Sequence, residues 1–117
     1  MGLDQSFFKN RPQLNENGNF NWDEAKEVLY FRKFWGLHDK IGEVLNETLL
    51  NGKTYRLEPE DLVKIRDYIA LDGINDYWAF ESDDEEVDEL PDNFNKAIGV
   101  LSRYIALNKP LYYNGDW

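Results

Sequence analysis

The apolar positions change period several times along the chain, and the changes divide it into elements. Leu3 and Phe7 fall on one side of an extended Met1–Lys9 segment, which predicts a first strand. Asn10-Arg11-Pro12 breaks that strand, and polar Gln13–Asn19, with Gly18, reads as a surface loop. From Asn21 to Leu50 the spacing is helical. Ala25, Val28, Leu29, Arg32 and Trp35 make one stripe, and Phe31, Phe34, His38, Ile41 and Leu45 an adjoining one. A helix buried over much of its girth is therefore expected here. Asn21 is placed to cap it, and Glu24 three positions on completes a capping-box pattern. Gly36 predicts a kink or a break into two helices.

Asn51-Gly52 is a turn signal, since both residues tolerate positive φ. Lys53–Leu57 follows as a short strand with Tyr55 and Leu57 on one face. Pro59 opens the next helix at its first position, where the missing amide costs nothing. Leu62, Ile65 and Ile69, joined by Val63, give that helix an apolar edge, and Asp72-Gly73 ends it. Glu58 is a poor cap, so a frayed first turn is expected. Ile74–Phe80, with Tyr77, Trp78 and Phe80, reads as a third strand. Phe94, Ala97, Ile98, Leu101 and Ile105 place a last helix over Asn93–Leu107, stopped by Asn108-Lys109-Pro110. The tail, residues 111–117, is too aromatic for a plain disordered end. It either folds back over the core or packs on a second chain through Tyr112, Tyr113 and Trp117, so a homodimer is one expectation. The sum is an α+β domain over residues 1–117, three or four helices on a small antiparallel sheet of about three strands.

Charge adds one feature that periodicity does not show. The chain has 23 acidic and 13 basic residues, a formal net charge of -10. Nearly all the excess lies between residues 81 and 92, in Glu81, Asp83, Asp84, Glu85, Glu86, Asp88, Glu89 and Asp92, with no basic residue among them. This run is expected as an acidic loop within the domain. Three readings stand: a solvated segment that maintains solubility, a surface that meets a basic patch on a partner, or a calcium loop. The calcium reading lacks the glycine its loop signature requires. So acidic a chain argues against direct binding to nucleic acid or anionic lipid, because phosphate recognition depends on Lys and Arg. The absence of Cys excludes disulfides and thiolate metal sites. No stretch is long and apolar enough to span a membrane, and Met1–Asn10 lacks the pattern of a signal peptide.

Met1-Gly2-Leu3-Asp4, and Tyr30-Phe31-Arg32-Lys33 followed after three residues by Leu37-His38, resemble a group of small proteins encoded by tailed bacteriophages. Those proteins begin Met-Gly-Leu-Asp and carry Tyr-Trp-Arg-Lys, three residues, then Ile or Leu and His. They also share a strand leading into a Glu-rich helix, as Tyr55–Tyr68 does here, and an aromatic strand followed by acidic residues and a final helix. This chain departs from them at Phe31, at Tyr77-Trp78-Ala79-Phe80 where the group has Phe-Phe-Phe-Gly, and in its aromatic tail. The resemblance implies a phage origin and a host-cytoplasmic location. It implies no activity, since none is established for the group.

Candidate chemistry is sparse. His38 is the single histidine, so acid–base or metal roles would rest on it. The expectation is a partly buried ring hydrogen-bonded to backbone or to a carboxylate. Arg32 falls on an apolar stripe and needs a partner there, for which Asp4 is the candidate, so Asp4, Arg32 and His38 are expected to form a structural polar cluster. No phosphate loop, dinucleotide motif, HExxH or nucleophile elbow is present. No catalytic residue, metal or cofactor is expected. The reading is a non-enzymatic protein that binds a host or phage protein through its anionic surface, of host-takeover or inhibitor type. The alternatives are a DNA mimic that inhibits a nucleic-acid-binding host enzyme, and a structural or assembly protein self-associating through its tail.

Overall fold

The computed structural model describes residues 3–73 and 90–117, the second segment with side chains from residue 94 onward. The order is β1 (Asp4–Phe8), α1 (Trp22–Ala25), β2 (Glu27–Arg32), α2 (Trp35–Leu45), β3 (Thr54–Leu57) and α3 (Pro59–Tyr68). A π-helical turn (Ile69–Gly73) extends α3, and α4 (Leu90–Leu107) and β4 (Leu111–Asp116) complete the chain. All strands pair antiparallel in one sheet, in the order β2-β1-β4-β3. The class is α+β as expected, with four strands in place of about three.

Strand alternation separates the two faces of this sheet. Phe7, Leu29, Phe31, Tyr55, Leu57, Leu111 and Tyr113 point inward and are buried. The helices close the core over them with Leu37 and Ile41 of α2, Leu62 and Ile65 of α3, and Phe94, Ala97 and Leu101 of α4. Phe34 stands at the centre, edge-on to Phe31 at 5.5 Å and to Phe94 at 5.4 Å between ring centroids. The opposite face carries Asp4, Ser6, Tyr30, Arg32, Arg56 and Asp116. Among the described residues, α1 and the loop before it lie over one end of that face, where Trp22 meets Phe8 at 5.2 Å between ring centroids.

The long helix expected over Asn21–Leu50 is not formed. One turn of helix, a six-residue strand and an eleven-residue helix occupy that stretch. Leu29 and Phe31 are buried while Tyr30 and Arg32 are exposed, a period of two in a run rich in residues that favour strands. Lys26 (φ 60°) and Lys33 (φ 57°) turn left-handed at either end of β2 and stop helix from running through. The break therefore falls at Lys26–Lys33, and Gly36 lies inside the first turn of α2. Asn21 makes no side-chain cap.

Two smaller corrections concern helix starts. The start of α3 is closed, since the Asp61 carboxylate accepts the Glu58 backbone N–H at 3.0 Å, so Glu58 does not leave that end open. Helix α4 begins at Leu90, not Asn93, and draws Asp92 into its first turn. The strand expected at Ile74–Phe80 and the run from Glu81 to Glu89 lie outside the described residues. The Asn51-Gly52 turn, the inward pair Tyr55 and Leu57, and the buried edge Leu62, Ile65 and Ile69 are all present as expected.

The tail takes the first of its two expected courses and folds back into the domain. Residues 111–116 form β4, which lies between β1 and β3 with Tyr113 wholly buried. That ring is out of reach of a second chain. Deleting Leu111–Trp117 should therefore abolish folding. Losing the buried Leu111 and Tyr113 side chains removes on the order of 2–3 kcal/mol each, and β1 and β3 lose their shared neighbour, against a total stability of about 5–15 kcal/mol. Circular dichroism and urea titration check this. A truncated chain that unfolds cooperatively and differs only in association state would contradict the placement of β4.

Candidate functional site

Two arrangements of polar side chains use opposite faces of the same strands. The inner one begins at Gln5, between Leu3 and Phe7 on β1 and wholly buried. After the β1–β2 ladder ends at the bond from Lys33 N–H to Leu3 O (2.6 Å), the Gln5 side chain continues the pairing. Its Oε1 accepts the Phe34 N–H at 2.8 Å and its Nε2 donates to the Phe34 carbonyl at 3.0 Å. A backbone amide can only be met by an oxygen, so this fixes which way the carboxamide points. Nε2 then also donates to the Tyr113 hydroxyl oxygen at 3.2 Å, and that hydroxyl lies 2.7 Å from His38 Nδ1. The Tyr113 hydroxyl and Nδ1 thus share one hydrogen bond, with a neutral imidazole, whose direction follows the ring tautomer.

The surroundings enforce this state. Burial lowers the His38 pKa below 6.5, against a smaller opposing pull from Asp39. Burial also pushes the Tyr113 phenol well above its ordinary value, so it stays a hydroxyl. Trp117 meets the imidazole edge-on at 4.7 Å and Trp35 at 5.9 Å. Gly115 is required beside them. A Cβ there would come within 3.0 Å of the Tyr113 hydroxyl and 3.2 Å of the His38 ring. The outer edge of His38 borders an open cleft of about 500 Å³, lined also by Asp39, Gly42, Glu43 and residues 46–49. Thr48 stands in the same lining, while the side-chain hydrogen bond of His38 seen among the described residues goes to Tyr113. Among the described residues, no group of three His, Cys, Asp or Glu side chains is placed to hold a metal ion.

The outer arrangement is a grid of side chains across three strands. One row reads Arg32, Asp4, Asp116 and the next reads Tyr30, Ser6, Asn114. Asp4 and Asp116 stand directly opposite one another, a like-charge pair that disfavours the sheet by a few tenths of a kcal/mol. Tyr30 donates to Asp4 Oδ1 at 2.6 Å, and Ser6 Oγ donates to Glu27 Oε1 at 2.6 Å. The bond to Asp4, then partial burial, raises the Tyr30 pKa to about 12. Beside these rows runs a groove of about 480 Å³ with Ser6, Phe8 and Asn114 in its floor and Trp22 along its wall. Its rim carries Asp4, Asp23, Glu27 and Asp116 against the single cation Lys26. Arg32 lines a second cleft with Asp4, Tyr30, Asp116 and Trp117, and further ion pairs among the described residues join Lys40 to Glu43, Arg56 to Glu58 and Arg66 to Asp67.

The expected polar cluster is split by the sheet. Asp4 and Arg32 are cross-strand neighbours as proposed for a pair, but on the outer face, where Arg32 is exposed and not on a buried stripe. His38 lies on the inner face and takes Tyr113 as its partner, not a carboxylate or the backbone. Of the tail aromatics, Tyr113 is committed to this buried chain. Tyr112 is half-buried under the Arg11 guanidinium, and Trp117 is half-buried against His38. Of the eight acidic residues singled out from the sequence, Glu81 through Glu89 lie outside the described residues, and only the backbone of Asp92 is placed, in α4. Gln5 escaped the sequence reading, although the alternation that buries Leu3 and Phe7 buries it too. No protein family, curated protein or solved structure matches the chain.

Tyr113→Phe should cost about 1–3 kcal/mol in urea unfolding, because it strips a hydrogen-bond partner from both Gln5 and His38. A neutral effect would show that the chain of bonds carries no stability. His38 should titrate below 6.5 when followed by the NMR shift of its ring protons. The unfolded chain then binds a proton that the folded one refuses. Stability is accordingly full above pH 6.5 and falls as pH drops from 6.5 through the folded pKa. A midpoint at or above 6.5 would show that burial does not hold the ring neutral.

Proposed function

We propose that this chain is a phage-encoded, non-enzymatic protein that binds a basic host or phage protein through outward-facing carboxylates. The observation that carries the reading is the outer sheet face. There a groove is rimmed by four carboxylates and one ammonium, and Asp4 and Asp116 are juxtaposed across the two inner strands with Arg32 on the other side of Asp4. Cross-strand pairs in a stabilising surface alternate in sign. The formal charge of -10 gives the same sign to the long-range field that would guide a cationic partner. The acidic stretch of residues 81–92 adds to that field.

The proposal against catalysis rests on the inner face. The only histidine is hydrogen-bonded to a buried tyrosine, and burial favours its neutral form. Location in the host cytoplasm accompanies the phage reading. Among the described residues, no helix is long and apolar enough to cross a membrane.

Electrostatic recognition of this kind raises the association rate and weakens with salt. The expected outcome is a partner captured from host lysate at low salt and released at high salt. Its association rate should fall by about tenfold or more when the acidic residues at 81–92 and at Asp4, Glu27 and Asp116 become amides. A partner retained with an unchanged rate and salt response after both sets are neutralised would end the reading. Release of the partner by duplex DNA would favour imitation of DNA over recognition of a protein surface alone.

A further inference from the structure

The only histidine of the chain is packed between α2, which carries it, and the end of β4, with an open cleft on its outer edge. We infer that His38 is a pH-operated latch between these two elements. Neutral, the ring closes on Tyr113; protonated, it turns out into the cleft and frees Gly115–Trp117 from α2. The inference concerns the inner face and stands apart from the anionic reading above.

Counting protons at Tyr113 shows why a charged ring does not stay in place. The hydroxyl oxygen accepts from Gln5 Nε2 at 3.2 Å and lies 2.7 Å from His38 Nδ1. A neutral imidazole can leave Nδ1 bare, so the hydroxyl proton has an acceptor, whereas an imidazolium donates from both nitrogens. Tyr113 would then meet two donors, and its own proton would be stranded in that run of bonds. Gln5 cannot relieve the conflict by turning over, because its Oε1 accepts the Phe34 N–H at 2.8 Å. Burial opposes the added charge as well, against a smaller pull from Asp39. His38 also lies in the first turn of α2, where the helix dipole disfavours a cation.

Sterics and charge leave the ring one way out. The β4 side has no space, since a Cβ at Gly115 would already come within 3.2 Å of the imidazole. Trp117 and Trp35 stand edge-on to it at 4.7 and 5.9 Å. The cleft is the open side, and Asp39, Glu43 and Glu47 lie in its lining. From β4 and β1 the ring meets Tyr113, Gly115, Trp117 and, through Tyr113, Gln5, none of them with a charged side chain. The cleft also extends to Gly42 and Asn46 at the C-terminal end of α2, where the dipole favours a cation. One proton thus reverses which of two ring positions is preferred, as a switch requires.

The latch holds more than its own ring. Trp117 covers the imidazole with its indole, and its backbone exchanges two bonds with the Asn51 side chain, at 2.9 and 2.7 Å. Trp117 also lines the outer cleft with Asp4, Tyr30, Arg32 and Asp116. Freeing Gly115–Trp117 therefore transmits protonation of the interior to the outer sheet face.

The experiment follows the full chain by NMR as pH falls from about 8 to 5. The nuclear Overhauser contact between the His38 and Trp117 rings should vanish as the His38 ring protons titrate, with a midpoint below 6.5. Amide protection at Gly115 and Trp117, corrected for intrinsic exchange, should fall about tenfold with the same midpoint, while that at Leu57 and Leu101 holds. His38→Gln, which keeps a neutral partner for Tyr113, should abolish both changes. Asp39→Asn combined with Glu47→Gln should weaken proton uptake by His38 about threefold. A ring that titrates with its Trp117 contact intact would overturn the latch, as would changes at Trp117 that persist in His38→Gln. Loss of protection at Leu57 and Leu101 with the same midpoint would replace the latch by plain acid unfolding. An unmoved midpoint in the double variant would overturn the cleft as the destination of the ring. Urea unfolding at neutral pH checks that each variant is folded, and the titration of the parent chain decides the matter where one is not.

Discussion

The buried side chain of Gln5 is the constraint on which the rest of the structure depends. A carboxamide with no access to water must satisfy both ends, and leaving either open costs about 1–3 kcal/mol. The available partners are the N–H and carbonyl of Phe34, at the point where the chain has left β2 and not yet entered α2. The Phe34 carbonyl also accepts the His38 N–H at 3.1 Å, the first bond of the helix. One glutamine therefore fixes where the sheet stops, where α2 begins, and how Tyr113 and His38 share a proton. Residues near both ends of the chain and from its middle meet in that single run of bonds, and no buried side-chain nitrogen or oxygen among the described residues is left without a partner.

The same register sets the outer face. Because successive residues of a strand point to opposite sides, Gln5 and Tyr113 cannot turn inward without Asp4, Ser6, Asn114 and Asp116 turning outward. A slip of one residue would bury four polar side chains and expose the inner set. The fold thus links an interior that must be neutral to an exterior that is strongly charged. Gly115 belongs to both, since it leaves space for His38 beneath while Asp116 follows it at the groove.

How far this could be read from the sequence depends on how local each cause was. β1, β3, α3 and α4 announce themselves through alternation, Pro59, Asn51-Gly52 and helical spacing, all acting within a few residues. β2 was hidden because Phe31, Phe34, His38 and Ile41 happen to continue a helical spacing across a strand and a turn. The residues that stop the helix, Lys26 and Lys33, adopt positive φ without being of a type that favours it. β4 does alternate, through Leu111, Tyr113 and Gly115, yet its place between β1 and β3 follows only from pairing opposite ends of the chain. The groove is less local still, since Asp4 and Asp116 become neighbours solely through that pairing.

That difference explains why the acidic run attracted attention in the sequence while the sheet face did not. A run of like charges is visible in one dimension and says little about what it meets, since a solvated segment has the same composition. Charges spread thinly along the chain and gathered by the fold are harder to see but more specific. Their positions are fixed to within the width of a strand pair, and an aromatic wall stands beside them. Screening makes the same point quantitatively. At physiological salt a charge is felt over about 8 Å, so exposed carboxylates farther apart than that are largely screened from one another. Asp4 and Asp116, opposite one another on paired strands with Arg32 on the other side of Asp4, lie well inside that distance and act on each other directly.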